Sequence, residues 1–283
     1  MAQEDGLARH ALSGVAWLAS SAGLHAGLSL GVLMILARLL PPRDFGLLSG
    51  AMIVVGLFQL FSDLGVGSAL VQLRDLRETH IRSAFTVTML AGIAIGALVW
   101  IAAPLVAHLM NMPGLQPVLR GLSPVFVIKS IGNISQKLVE RSLEYQRLAF
   151  VDVASYGIGF GMVGIGMALT GFGVWALVAA TLGEAVVRST ILLWLQPHSI
   201  RPTFHLEALH PILFFGGGFT AAGFVNYWAK KGDDLVIGRW LGAASLGVYD
   251  RAYTLLEATD RVVGRPLDKV LFPSFAHIQE ESE

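Results

Sequence analysis

Cysteine is absent from the 283 residues, which removes disulfides, thiolate metal sites and cysteine nucleophiles from consideration. Charge is scarce as well: Asp, Glu, Lys and Arg together make up 14% of the chain, as 20 basic and 20 acidic side chains with a formal net charge of zero. Without a basic excess the chain lacks the electrostatic footprint of a nucleic-acid surface. What fills the sequence is apolar: 54% of residues are hydrophobic and the mean hydropathy is +0.64, more than soluble domains carry. The composition is that of an integral membrane protein. The polar segment Met1 to His10 is followed by a long apolar run without a small-residue cleavage site, so this run reads as a retained span and not a signal peptide.

A bilayer core requires about 20 mostly apolar residues per helix. Leu12 to Ala37, Phe45 to Ser62 and the interior of Ser83 to Met110 meet that requirement without a formal charge. The uncharged stretch Val153 to Gly183 is too long for one helix and too short for two; Gly171 and Gly173 offer a tight turn, predicting helices over Leu148–Leu169 and Val174–Leu195. Ala208 to Ala229 supplies another span. Leu122 to Val139 contains Lys129, Asn133, Gln136 and three serines, and its apolar residues barely offset them. Such a helix inserts only with help from its neighbours. The last segment, Leu246 to Val263, is rejected by hydropathy and retained because it repeats the second span. The expectation is an all-α polytopic bundle of about eight transmembrane helices.

The repeat is explicit. Leu36, Arg38, Leu40, Phe45, Gly46 and Ala51 recur as Ile237, Arg239, Leu241, Leu246, Gly247 and Ala252, at a constant offset of 201 residues. Internal duplication in a membrane chain is characteristic of transporters that rock two lobes around a central site. Two full copies would occupy roughly 400 residues, so the sequence divides into a six-helix lobe, 1–205, and the first two helices of a second, incomplete lobe, 206–283. Orientation follows from the basic residues of the short loops. Arg9, Arg74, Arg77, Arg82, Lys137, Arg141, Arg147 and Arg201 fall on the N-terminal side, against Arg38, Arg43 and Arg120 opposite. The N-terminus is thus expected in the cytoplasm.

Several motifs have plainer readings beside the functional ones. Gly159, Gly161 and Gly164 fit a dinucleotide-binding pattern, but that fingerprint requires a strand, a turn and a helix start. Within a membrane span these glycines, with Gly157 and the pair Gly92 and Gly96, serve close helix packing. His198, His205 and His210 share a loop without the spacing of a metal site, so no metal is expected. Lys129 lies mid-span, where it either snorkels to a neighbouring carboxylate or faces a cavity and meets an anion. Asp63 ends the second span, and Asp152, Glu184 and Arg188 are read as lying near span ends, at the interface. In the eighth segment Asp250, Glu257, Arg261, Arg265 and Asp268 form one helical stripe, facing either a water-filled cavity or the membrane interface. No hydrolase triad, phosphate loop or carboxylate pair on a soluble scaffold is present, so neither catalysis nor a cofactor is expected.

The runs Leu36 to Pro41, Asp44 to Leu47 and Gln59 to Gly65 occur in order with Arg141 to Leu143, Gly171 to Leu177 and Leu235 to Arg239. Leu246 to Tyr249, Arg251 to Tyr253 and Val270 to Pro273 complete the series. In this the chain resembles the polysaccharide-transporter branch of the multidrug/oligosaccharidyl-lipid/polysaccharide exporters, from about Leu12 to Gln279. Asp233-Asp234 and Asp250 depart from the family pattern by adding negative charge. The resemblance implies a flippase of the bacterial inner membrane that moves polyprenyl-diphosphate-linked oligosaccharides for lipopolysaccharide or exopolysaccharide assembly. Its partners would be that lipid-linked oligosaccharide, membrane lipid and polysaccharide polymerase machinery. Arg38, Lys129, Arg239 and Arg251 are the implied substrate-binding cations. Asp233, Asp234 and Asp250 either carry a coupling ion or neutralise Lys230, Lys231 and Arg251. A cation-coupled multidrug exporter of the same superfamily and an inactive, truncated chain are the alternative expectations.

Overall fold

A computed structural model describes residues 23–62, 70, 76–142, 144–199 and 206–259, with backbone alone for 62, 206–222 and 257–259. Every regular element among these residues is helical: α1 (Gly23–Leu39), α2 (Pro42–Ser62), α3 (Glu78–Leu109), α4 (Leu115–Leu122), α5 (Val125–Arg141), α6 (Tyr145–Leu169), α7 (Val174–Leu195) and α8 (Leu206–Thr259). Four of them, α2, α3, α6 and α7, are long and apolar enough to cross a membrane. The helical membrane bundle expected from composition is therefore present. The first and last of the expected spans run past the described residues.

Boundaries fall where local chemistry puts them. α6 ends at Leu169 and α7 begins at Val174, with Gly171 at φ +82° and Gly173 at φ +56° making the turn that only glycine adopts freely. Pro42 opens α2, a position where the missing N–H costs nothing. Buried hydroxyls donate to their own helices, as Thr88 to the Ala84 carbonyl at 3.0 Å, Ser130 to Phe126 at 2.8 Å and Thr181 to Leu177 at 2.9 Å. Such back-bonding satisfies them where no water is at hand.

Size sorts the faces. On α3 the buried positions include Ser83, Ala84, Thr88, Gly92, Gly96 and Ala103, whereas Leu90, Leu98, Trp100, Ile101 and Leu105 are exposed. Small residues inside and bulky apolar ones outside is the arrangement expected when the solvent is lipid. A Cβ on Gly92 would stand 2.2 Å from the Ser130 hydroxyl, bringing α3 onto α5. The central core is built by α4 and α5, where Leu115, Val118, Leu119, Leu122, Val125 and Phe126 are fully buried.

The dinucleotide-like glycines lie inside α6, in π-helical turns over Gly157–Gly164. A Cβ on Gly159 would lie 2.6 Å from the Glu184 backbone nitrogen, and one on Gly164 would lie 3.0 Å from Ala180 Cβ. They are packing glycines, as expected. The tightest approach is to α7 from Gly159 and Gly164, while Gly157 and Gly161 face Leu28 and Val32 of α1 more loosely.

α8 is two helical arms joined at Gly242, whose φ of 81° and ψ of 176° break the helix. Its main packing partner among the described residues is α2. The Tyr227 hydroxyl donates to the Ile53 carbonyl at 2.6 Å, and beyond the kink Gly247 meets the first turns of α2. The two halves of the sequence repeat thus touch through the helices that carry it.

Candidate functional site

On α5, Lys129, Asn133, Gln136, Lys137 and Glu140 recur every three or four residues and so share one face. Across from them stand Arg188 and Ser189 of α7. The two helices are drawn together at a crossing that leaves no room for a side chain: a Cβ on Gly132 would lie 2.8 Å from Ser189 Cα. The Ser189 hydroxyl donates to the Ile128 carbonyl at 2.8 Å. A cavity of about 280 Å³ opens beside this crossing, lined by Gln59, Lys129, Gly132, Asn133, Gln136, Lys137, Arg188, Ser189 and Leu192.

The charges are arranged in layers. Among the described residues the cavity lining contains three cations, Lys129, Lys137 and Arg188, and no carboxylate. Each cation has an acid behind it. Arg188 pairs with Asp152 of α6, and its other nitrogen donates to Gln136 Oε1 at 3.4 Å. Gln136 Nε2 donates to Glu140 Oε1 at 2.8 Å, while Lys137 reaches Glu140 Oε2 at 2.8 Å. Glu184, midway along α7, lies in the field of Lys129, Arg188 and Asp152. These ionic groups are half-buried, and holding so many together among apolar helices is favourable only because they compensate one another. Held in this way, the ammonium and guanidinium groups suit an anion such as a phosphate.

Beneath the cavity the chain leaving α7 is pinned to α5. The Ser135 hydroxyl donates to the Gln196 carbonyl at 2.9 Å and lies 3.0 Å from His198 Nδ1. The His198 ring meets Phe85 edge-on at 5.4 Å between centroids. Burial lowers the His198 pKa from its ordinary value, partly opposed by a hydrogen bond to the Gln196 backbone. The side chains of His205 and His210 lie outside the described residues, and no group of three potential metal ligands occurs among the described ones.

The residues singled out in the sequence do not converge. Lys129 lines the cavity. Arg38 is exposed in the last turn of α1. Arg239 is exposed on α8, its guanidinium carbon 5.8 Å from the ring of its neighbour Trp240. Arg251 lies across the Phe45 ring at 3.7 Å, with Nε and Nη2 buried and lacking hydrogen-bond partners among the described residues. Asp233 accepts a 2.5 Å hydrogen bond from the Tyr249 hydroxyl, tying the two arms of α8 together. Asp234, 4% exposed, accepts from Lys231 at 2.7 Å, and Asp250 is half-buried beside Arg251. No described lining residue of the cavity comes from α8. Of the charged stripe in the eighth segment only Asp250 has a described side chain; Glu257, Arg261, Arg265 and Asp268 lie outside, as does Asp63.

The sequence reading passed over Asp152, Glu184 and Arg188 as interfacial. The structure corrects this for Glu184, which is central in α7, whereas Asp152 and Arg188, each about two turns from a helix end, pair with one another across α6 and α7. The legible signal was a Glu and an Arg four residues apart inside an otherwise apolar span.

A family model described as "Polysaccharide biosynthesis protein" matches residues 35–283. The lipopolysaccharide biosynthesis protein WzxC of Escherichia coli is 26% identical over 274 residues, covering 96% of this chain and 56% of that protein. The succinoglycan biosynthesis transport protein ExoT of Rhizobium meliloti is 27% identical, with 95% and 54% covered. The teichuronic acid biosynthesis protein TuaB of Bacillus subtilis is 25% identical, with 79% and 47% covered. The chain spans about half the length of the curated relatives it matches. No solved structure matches it.

Proposed function

The chain belongs to the polysaccharide biosynthesis protein family, and on that premise we propose that it acts as a flippase for oligosaccharides carried on a polyprenyl diphosphate. The observation that carries this reading is the cavity between α5 and α7, with Lys129, Lys137 and Arg188 in its lining and their acids set behind them. A glycan and a diphosphate must both be kept out of hydrocarbon during transfer. The polar lining receives the first, and the cations receive the second.

In this reading residues 1–205 form one lobe and 206–283 open a second, with the N-terminus in the cytoplasm of a bacterial cell and the chain in its inner membrane. The name of one relative, a succinoglycan biosynthesis transport protein, supports transport over catalysis and a glycan as the cargo; the lipid link is part of the proposal. Arg38, Arg239 and Arg251 would act away from the cavity, along the contact with the second lobe, and Asp233, Asp234 and Asp250 would serve chiefly to hold α8.

Complementation tests the reading. The chain is expressed in a bacterium lacking its own repeat-unit flippase, with membrane insertion verified. Restored surface polysaccharide is expected. Its absence in cells with normally inserted protein counts against this chain as the transporter.

A further inference from the structure

Among the acids of the cluster, Glu184 holds the most central position in its helix. It sits one turn before Arg188 in the middle of α7. The π-helical turns of α6 press Gly159 against its backbone, 2.6 Å from where a Cβ would be. Such turns recur at functional positions because they aim a helix face that a regular helix would turn away. The Ser189–Ile128 bond sets α5 beside it, and Lys129 follows Ile128 directly. The charged and titratable groups that face Glu184 are Lys129 from α5, Arg188 on its own helix, and Asp152 and Tyr156 from α6. Arg188 is already engaged by Asp152, so Lys129 is the principal countercharge for Glu184, and Lys129 also lines the cavity.

We infer that Glu184 is a proton-binding site coupled to the cavity: Glu184 and an anionic ligand compete for Lys129. With the cavity empty, Lys129 faces the Glu184 carboxylate. When a diphosphate enters, the Lys129 ammonium turns to it. Glu184 is then left half-buried beside Asp152 with its countercharge withdrawn, a situation that favours the neutral acid. The proton comes from bulk water by way of the cavity and bonds to a carboxylate oxygen; Lys129 remains an ammonium throughout. Ligand binding and proton binding therefore assist one another, and by linkage the assistance is reciprocal. This inference rests on the diphosphate reading and adds to it the source of its pH dependence.

The test uses the full chain in lipid nanodiscs with farnesyl diphosphate as probe. Calorimetry in two buffers of different ionisation enthalpy counts protons taken up on binding, and affinities are measured from pH 6 to 9 for wild type and Glu184→Gln. Wild type is expected to take up close to one more proton than the variant, and its affinity to fall about tenfold per pH unit relative to the variant on the alkaline side. The probe's own ionisation is common to both proteins and cancels. Equal proton counts with parallel pH profiles would overturn the coupling while leaving diphosphate binding in place. Absence of any binding to wild type would overturn both. Should Glu184→Gln not fold, the wild-type count at pH 8, where free diphosphate is already ionised, decides: near one proton supports the coupling, and none overturns it.

Discussion

Gly46 and Gly247 occupy each other's missing side-chain space. A Cβ on Gly46 would stand 1.6 Å from the Ala243 carbonyl oxygen, and one on Gly247 would stand 1.9 Å from that of Pro42. Pro42 and Ala243 are offset in sequence by the same amount as the two glycines. Each copy of the repeat thus presses its glycine onto the same carbonyl of the other, which is what a two-fold relation between two copies of one surface produces. Van der Waals contact of this closeness replaces hydrophobic burial as the cohesive force between helices in lipid.

Gly46→Ala and Gly247→Ala are each expected to destabilise the protein by about 1–3 kcal/mol through overpacking. The double variant should cost less than the sum, because the first methyl has already parted the backbones. Denaturation of the purified protein in detergent measures this. Additive losses would mean that the two positions are not in one contact.

Lys129→Ala removes a cation from the cavity lining. A hydrogen bond to a charged group contributes about 1.5–3 kcal/mol, so affinity for farnesyl diphosphate should fall roughly 10- to 100-fold with membrane levels unchanged. Arg239→Ala, exposed beside Trp240 and outside the cavity, should lose less. Unaltered affinity in Lys129→Ala would remove that residue from the binding role.

Asp152 and Arg188 should behave as a pair. Either Asp152→Asn or Arg188→Gln leaves the partner charge in a membrane helix without its counterpart, and because the two side chains are 43% and 27% exposed about 1 kcal/mol of stability is at stake in such a break. The double variant removes both charges and should recover much of the loss. A double-mutant cycle on unfolding gives the coupling; a coupling near zero would mean that solvent or other residues already satisfy Arg188.

The placement of elements was legible because it depends on the chain alone. Gly171 and Gly173 divided an uninterrupted apolar run at the residues where it turns, and the Phe45-Gly46 and Leu246-Gly247 repeat marked the segments that meet. The acid–base pairing was not legible. Hydropathy weighs what each residue costs to bury and is blind to which helix will stand opposite, so Asp152 and Arg188 read as two interfacial charges instead of one ion pair. The surroundings of Arg251 were not legible either: its guanidinium lies across the face of Phe45, a contact of about 1 kcal/mol that no spacing announces.

His198 gives the pH dependence of the segment after α7. Burial lowers its folded pKa below the ordinary 6.5, so below that value the unfolded chain binds its proton first. Stability is then fully present above about pH 6.5 and falls as the pH drops toward the folded pKa. Melting temperatures from pH 7.5 to 5 should show this decline in wild type and a shallower one in His198→Gln. Identical slopes would assign the decline to other groups.

At the turn between its two helices, the first repeat places Pro41 where the second has Gly242. Gly242 sits at φ +81°, and proline is confined near −65°. The two copies therefore reach the same glycine contact over backbones of opposite hand. A proline at position 242 could not make this bend, so the two copies, alike in the residues that touch, are not interchangeable at the turn that brings them together.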